Sequence, residues 1–200
     1  MSRLLALVAA AALAVVAPGT AQDHAAAAKP RVTVIGDSVQ ASFQYVPAAV
    51  RRLGKGFNLR VDAVVCRRLV ARSCAYNGVT PKTALEVVRS RRRSLGRVVV
   101  VNVGYNDDAR GYDVNRVMRA MRSAKVKTVV WVTLRETRSV YASTNTSIRR
   151  AAKRWKGLVV ADWNRVSRGK RWFGSDGLHL NAKGAMALSG LIRKKVLAAT

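Results

Sequence analysis

Val98-Val99-Val100-Val101-Asn102-Val103-Gly104-Tyr105-Asn106-Asp107 begins with a run that is apolar on both faces apart from Asn102, then breaks into a polar cluster. A strand with one face in water alternates apolar and polar residues, whereas a strand covered by helices on both faces is a continuous β-branched run. The stretch therefore predicts a central parallel strand at 98–103 that delivers Gly104 to Asp107 at its carboxyl end. Outward from it, similar runs fall at 31–35, 58–65, 128–134 and 158–161. Helical periodicity falls between and after them at 40–53, 82–95, 113–124, 145–155 and 182–198. Five such alternating units imply a doubly wound α/β sandwich.

In an open parallel sheet, ligands bind beyond the carboxyl ends of the strands. Three polar clusters occupy such places: Gly36-Asp37-Ser38 after the first strand, Gly104-Tyr105-Asn106-Asp107 after the third, and Asp176-Gly177-Leu178-His179 before the last helix. His179 is the only histidine besides His24, which belongs to the N-terminal leader. A carboxylate three residues before a histidine can orient its imidazole within one turn, as a base that activates a serine hydroxyl requires. Ser38 would start the first helix, where its own N–H and the helix dipole favour a developing oxyanion. Asn106 could donate its side-chain amide to the same charge. Each cluster alone could be an ordinary helix cap or turn; their occurrence together and in this order singles them out.

On these residues the chain resembles the SGNH hydrolases, the GDSL-like serine esterases and lipases, across nearly all of the sequence after the leader. The first family block places the nucleophile at Ser38. The third block, Gly-x-Asn-Asp, fits Gly104 to Asp107 with Asn106 as oxyanion donor, and the last, Asp-x-x-His, fits Asp176 and His179. The resemblance implies a three-layer α/β/α sandwich, with a flavodoxin-like five-stranded parallel sheet of order 2-1-3-4-5. The triad is then Ser-His-Asp; no cofactor is expected, and no histidine or carboxylate cluster in the sequence has metal-ligand spacing. The second block, a glycine whose N–H completes the oxyanion hole, is where the sequence departs. Gly78, in Gly78-Val79-Thr80-Pro81, leads into a helix as the family glycine does. Cys66 ends the second strand, where relatives acting on wall polysaccharide place theirs, and any residue but proline supplies an N–H. Gly78 is the first choice and Cys66 the competitor.

Attack by Ser38 on an ester carbonyl, with His179 as base, Asp176 as its orienting partner and water releasing the acyl group, is the expected chemistry. No Gly-x-Ser-x-Gly elbow of the α/β-hydrolase kind occurs. The expected activity is hydrolysis of acyl esters, acetyl among them, on extracellular glycans or lipid-like substrates. The alternatives are O-acyl transfer to wall polysaccharide and a noncatalytic cationic module that binds the wall. Trp163, Trp172 and Phe173 precede His179. Trp172, in the polar loop after Arg168-Gly169-Lys170-Arg171, is the candidate substrate-binding aromatic, and the other two are expected in the core.

Arg3 followed by the apolar run Leu4 to Ala17 and by Gly19-Thr20-Ala21 predicts an export signal at 1–21. A disordered leader at 22–29 and a single domain at 30–200 follow. Secretion or wall association is expected, with a monomeric state. Cys66 and Cys74 fit an oxidising compartment, and a bridge closing this loop of about nine residues would contribute about 2.5 kcal/mol by chain entropy. The 37 Lys and Arg against 10 Asp and Glu give a net charge of +27. Such a surface either attracts polyanions or is merely solvated. With export expected and only Arg91-Arg92-Arg93 as a dense cluster, an anionic wall polymer is favoured as a partner over any specific nucleic acid.

Overall fold

Short β-rich runs form a parallel sheet: Val98–Asn102 is buried on both faces, whereas Asn58–Ala63 at the edge alternates apolar and polar residues and is only partly covered. The computed structural model describes residues 28–200. The expected signal at 1–21, His24 and leader residues 22–27 lie outside the described residues. Five parallel strands, β1 (Arg31–Gly36), β2 (Asn58–Ala63), β3 (Val98–Asn102), β4 (Thr128–Val132) and β5 (Leu158–Ala161), lie in the order β2-β1-β3-β4-β5. This is the expected order, with β3 central and all five of its residues buried.

The helices divide between the two faces as the alternation of β3 requires. Val98 and Val100 join a core with Val32, Val34, Val130 and Val132 beneath α2 (Pro47–Gly54) and α7 (Ala182–Leu197), which supply Leu53, Leu188 and Ile192. Val99 and Val101 turn the other way, to Ile35 and Trp131 beneath α3 (Ala84–Arg91), α4 (Val114–Ser123) and α5 (Ser139–Arg154). Each fully buried valine or leucine contributes roughly 1.5–3 kcal/mol, so both faces are well anchored. The short helices α1 (Ser38–Ala41) and α6 (Trp163–Ser167) follow β1 and β5.

Two sequence expectations are redrawn. The helix expected at 40–53 is broken into α1, a 3-10 turn at Ser42–Tyr45, and α2. Pro47 forces this, because a residue before proline is pushed out of the helical region, and Val46 sits at φ −134°, ψ 74°. Helix α5 starts at Ser139, six residues before the expected 145, across a Ser/Thr/Asn-rich stretch of poor helix propensity. Tertiary contacts override the propensity. The Asn145 side chain satisfies both backbone groups of Leu134 at 2.7 Å, and Tyr141 packs edge-on against Tyr105 at 5.1 Å between ring centres.

Candidate active site

Gly36 and Asn102 are register partners at the ends of β1 and β3, so the segments that follow them leave the sheet side by side. A side chain at Gly36 would collide with Gln40, its Cβ falling 2.2 Å from the Gln40 Cβ. Glycine therefore lets α1 fold back directly over the strand end. Asp37 caps α1, its Oδ1 accepting from Val39 N at 3.1 Å. Its other oxygen accepts from the backbone N–H groups of Gly104 and Tyr105, both at 3.0 Å. One carboxylate thus binds the Ser38 segment to the Asn106 segment. Asp37 is fully buried, and burial raises its pKa to about 6 although these three N–H groups pull the other way. Ser38 is half-buried as the first residue of α1.

Asn106 follows Tyr105 and donates from Nδ2 to the carbonyl of Arg67 at 3.2 Å. Asp107 then reaches the same loop, accepting from Leu69 N at 3.0 and 3.1 Å. Burial raises the Asp107 carboxyl to about 7. The loop after β2 is thereby tied to the loop after β3. It is also tied to β1 through Arg67, only 3% exposed, whose guanidinium donates to Gly36 O at 3.2 Å, Lys82 O at 3.0 Å and Asp62 Oδ1 at 2.8 Å. Asp62 answers with its second oxygen to Arg91 at 2.8 Å. Desolvation works against ionisation there, and the two guanidiniums overcome it to hold the carboxyl below the usual range.

Cys66, next to Arg67, has φ +67° and is bonded to Cys74, the bridge expected from the sequence. A left-handed backbone is unusual outside glycine, asparagine and aspartate, and here the cross-linked cysteine adopts it beside the carbonyl that Asn106 binds. Gly78, the other position considered, lies at φ +76° in the turn Tyr76–Val79, whose ends exchange N–H···O bonds of 2.9 and 3.0 Å. It is exposed, with nothing within 4 Å of where its side chain would be.

His179 and Asp176 are paired in the loop before α7, with Nδ1 and Oδ2 2.5 Å apart. The second Asp176 oxygen accepts from the N–H groups of Leu178 at 2.9 Å and His179 at 3.0 Å. Partial desolvation opposes ionisation of Asp176, but the bonds from the imidazole and the two N–H groups prevail and lower its pKa. Both side chains are about half exposed, 46% and 48%. The Arg135 guanidinium, stacked 3.9 Å from the Phe173 ring centre, donates to Gly177 O and so clamps this loop to the end of β4. Leu180 N donates to Ser42 Oγ at 3.4 Å, which brings the loop against the segment after α1. The charge of His179 is the smallest of the influences that lower the pKa of Asp37. Among the described residues no hydrogen bond joins Ser38 to His179; such bonds commonly tighten only when substrate is bound.

Trp172 stacks on the fully buried Trp163 at 5.6 Å and 16°, with the Lys170 ammonium 5.9 Å from its ring centre. It bridges core and surface. Phe173 packs edge-on to Trp163 at 6.1 Å, so all three aromatics belong to one cluster below His179. Sequence reasoning treated Asp37 only as a cap and did not single out Arg67 or Arg135. A buried anchoring arginine has no signature when it is one of 37 basic residues.

No family model matches the chain. Among curated proteins, 97 residues are 33% identical to a Staphylococcus aureus protein named as an O-acetyltransferase, covering 48% of this chain and 16% of that one. The chain thus spans about a sixth of the length of the curated relatives it matches. Among solved structures, a carbohydrate esterase family 3 protein from Talaromyces cellulolyticus is 18% identical, with a TM-score of 0.55 over 85% of this chain and 97% of the other. A carbohydrate acetylesterase family member from Sinorhizobium meliloti is 15% identical, with a TM-score of 0.61 over 83% and 97%. A protein from Agrobacterium tumefaciens named as an arylesterase is 13% identical, with a TM-score of 0.59 over 84% and 99%. At these identities the likeness is one of architecture: the chain has the α/β/α fold of these esterases, the one implied by its resemblance to the SGNH hydrolases.

Proposed function

We propose that this protein is a serine esterase that removes acyl groups, acetyl among them, from extracellular glycans. The single observation that carries this reading is the Asp176–His179 pair, held by Leu180 against the segment that begins with Ser38. Ser38 Oγ attacks the ester carbonyl as His179 takes its proton. Asp176 holds the imidazole with Nδ1–H toward itself and stabilises the cation that forms. The oxyanion is received by the N–H of Ser38, the Asn106 amide and a third N–H from the loop after β2. The imidazolium protonates the departing alcohol, and water activated by the same histidine releases the acyl group. Asp176 stays ionised into mild acid because its pKa is lowered, so the pair is ready at neutral pH.

For the third N–H we take Cys66 over Gly78, because its neighbour Arg67 is bound by Asn106 and Arg67 itself is bonded to the end of β1. The names of the solved neighbours support an acylated carbohydrate as substrate. The disulfide is compatible with an oxidising compartment outside the cytoplasm. Acyl transfer is the second reading, favoured by the name of the curated relatives. It shares the acyl-enzyme, with a sugar hydroxyl replacing water in the second step.

The test is fluorophosphonate labelling with peptide mapping, alongside turnover of nitrophenyl acetate and of acetylated glycans. Ser38 should be the labelled residue, and Ser38→Ala should lose at least about 10³-fold in kcat with unchanged thermal unfolding. Unaltered turnover in that variant excludes the serine mechanism. Formation of new sugar esters faster than free acetate would select transfer.

A further inference from the structure

Away from the candidate active site, a groove of about 1020 Å³ runs between α3, with the 3-10 turn Arg92–Leu95 that follows it, and α4. Six arginines line it: Arg89, Arg91, Arg92 and Arg93 on one wall, Arg116 and Arg119 on the other. The remaining lining residues are serines and small aliphatic side chains, with no carboxylate and no aromatic ring. The 3-10 turn lies at the amino end of the sheet, where Thr33 Oγ1 meets Leu95 O at 2.7 Å. The catalytic segments leave from the opposite end.

Arg91 is engaged by Asp62, whereas the side chains of Arg89, Arg92, Arg93, Arg116 and Arg119 have no ion pair or hydrogen bond among the described residues. Like charges facing one another across a concavity repel, and the walls focus their field into it. The chain also accepts local strain here. Arg92 has φ +44°, ψ −123°, a conformation suited to glycine, yet it is an arginine in the middle of Arg91-Arg92-Arg93, all three lining the groove. Strain of this kind persists only where surrounding structure or function requires it.

We propose that this groove binds a linear poly(polyol phosphate), with the arginine forks holding successive phosphodiester groups. Guanidinium matches phosphate bidentately and is more weakly hydrated than ammonium, and lysine is absent from the lining. Arg116 and Arg119 lie about one helical turn apart, near 5 Å along the axis, a spacing that a flexible phosphodiester chain can follow. Single-stranded nucleic acid would call for aromatic faces on which bases stack, and sugar rings are usually held on such faces too. The groove offers neither, which favours a polyol backbone over a nucleic acid or an acidic polysaccharide.

The experiment measures binding of poly(glycerol phosphate) to the whole chain over a salt series. The groove variant is Arg92→Gln with Arg93→Gln, Arg116→Gln and Arg119→Gln. The control removes the same charge elsewhere, through Arg51→Gln, Arg150→Gln, Lys183→Gln and Lys194→Gln, all exposed. The groove variant should bind at least about tenfold more weakly than the control. Its slope of log affinity against log salt should fall by about 2–3, because each phosphate that an arginine no longer neutralises removes roughly 0.7 from that slope. Arg92→Gly with Arg116→Gln is the second variant. Glycine suits the backbone at position 92, so this protein should fold at least as well as wild type and still lose several-fold in affinity. Equal losses in groove and control variants would overturn the proposal in favour of diffuse attraction. Equal or tighter binding of an oligonucleotide or a polyuronate that displaces the polymer would overturn the choice of ligand.

Discussion

Asp37 and Asp107 are buried carboxylates, the first accepting from three backbone N–H groups and the second from one, and both are easier to protonate in the folded chain than in an unfolded one. A raised folded pKa means that the folded state binds the proton more tightly. The contribution of each group is therefore full below the unfolded value, near 4, and is lost as pH rises through about 6 for Asp37 and about 7 for Asp107. Asp107→Asn keeps an oxygen to accept from Leu69 N and has no charge to desolvate. It should be a few kcal/mol more stable than wild type at pH 8 and nearly equal to it at pH 4, since each tenfold difference in proton affinity between folded and unfolded chains is worth about 1.4 kcal/mol. Urea unfolding across this range checks it, and a difference independent of pH would contradict the burial of that carboxyl. Asp176 behaves oppositely, since its pKa is lowered and its ionised form is favoured. Asp176→Asn should leave Ser38 present but its base poorly oriented, lowering kcat by about 10²–10⁴-fold with little change in KM. Steady-state kinetics on a soluble acetate ester measures this split.

The loop after β2 shows where sequence reading stops. Strands and helices were legible because burial on two faces leaves continuous valine runs and amphipathic spacing leaves its period. Ser38 and Asn106 were legible as candidates because each follows a glycine at a strand end, and Asp176 and His179 because they flank a glycine turn before the last helix. Cys66 carried no such mark: its glycine-like φ of +67° is visible only in three dimensions, as is the way Arg67 presents its carbonyl to Asn106. Likewise, the true start of α5 depended on Asn145 finding Leu134, a tertiary pairing that no local period encodes. If the Cys66 N–H serves the oxyanion, removing the cross-link should affect catalysis in a way that depends on the residue left behind. Cys66→Ala with Cys74→Ala should lower kcat about 10–100-fold, since alanine resists the left-handed backbone. Cys66→Gly with Cys74→Ala should recover part of that loss, because glycine accepts it. Equal activity of both double variants and wild type would return the role to Gly78.

Across the whole molecule, three of the four segments that carry the candidate site, those after β1, β2 and β3, are fastened to one another through their side chains. Asp37 at the end of β1 holds the loop after β3, Asp107 from that loop holds the loop after β2, and Arg67 from there returns to Gly36. This closed circuit predicts how the molecule breathes. Loop amides ordinarily exchange their hydrogens with solvent through small local openings, far below the free energy of unfolding. The amides of Val39, Leu69, Gly104 and Tyr105 are committed to these two carboxylates, so exposing one strains the others. In deuterium exchange they should behave as a single slow group, with protection approaching that of the β3 core, although none belongs to a strand. Four unrelated, fast rates would mean that the circuit is only a static arrangement. A common slow rate would mean that these three segments open all at once or not at all, so that a substrate meets that side of the candidate site already rigid before it arrives.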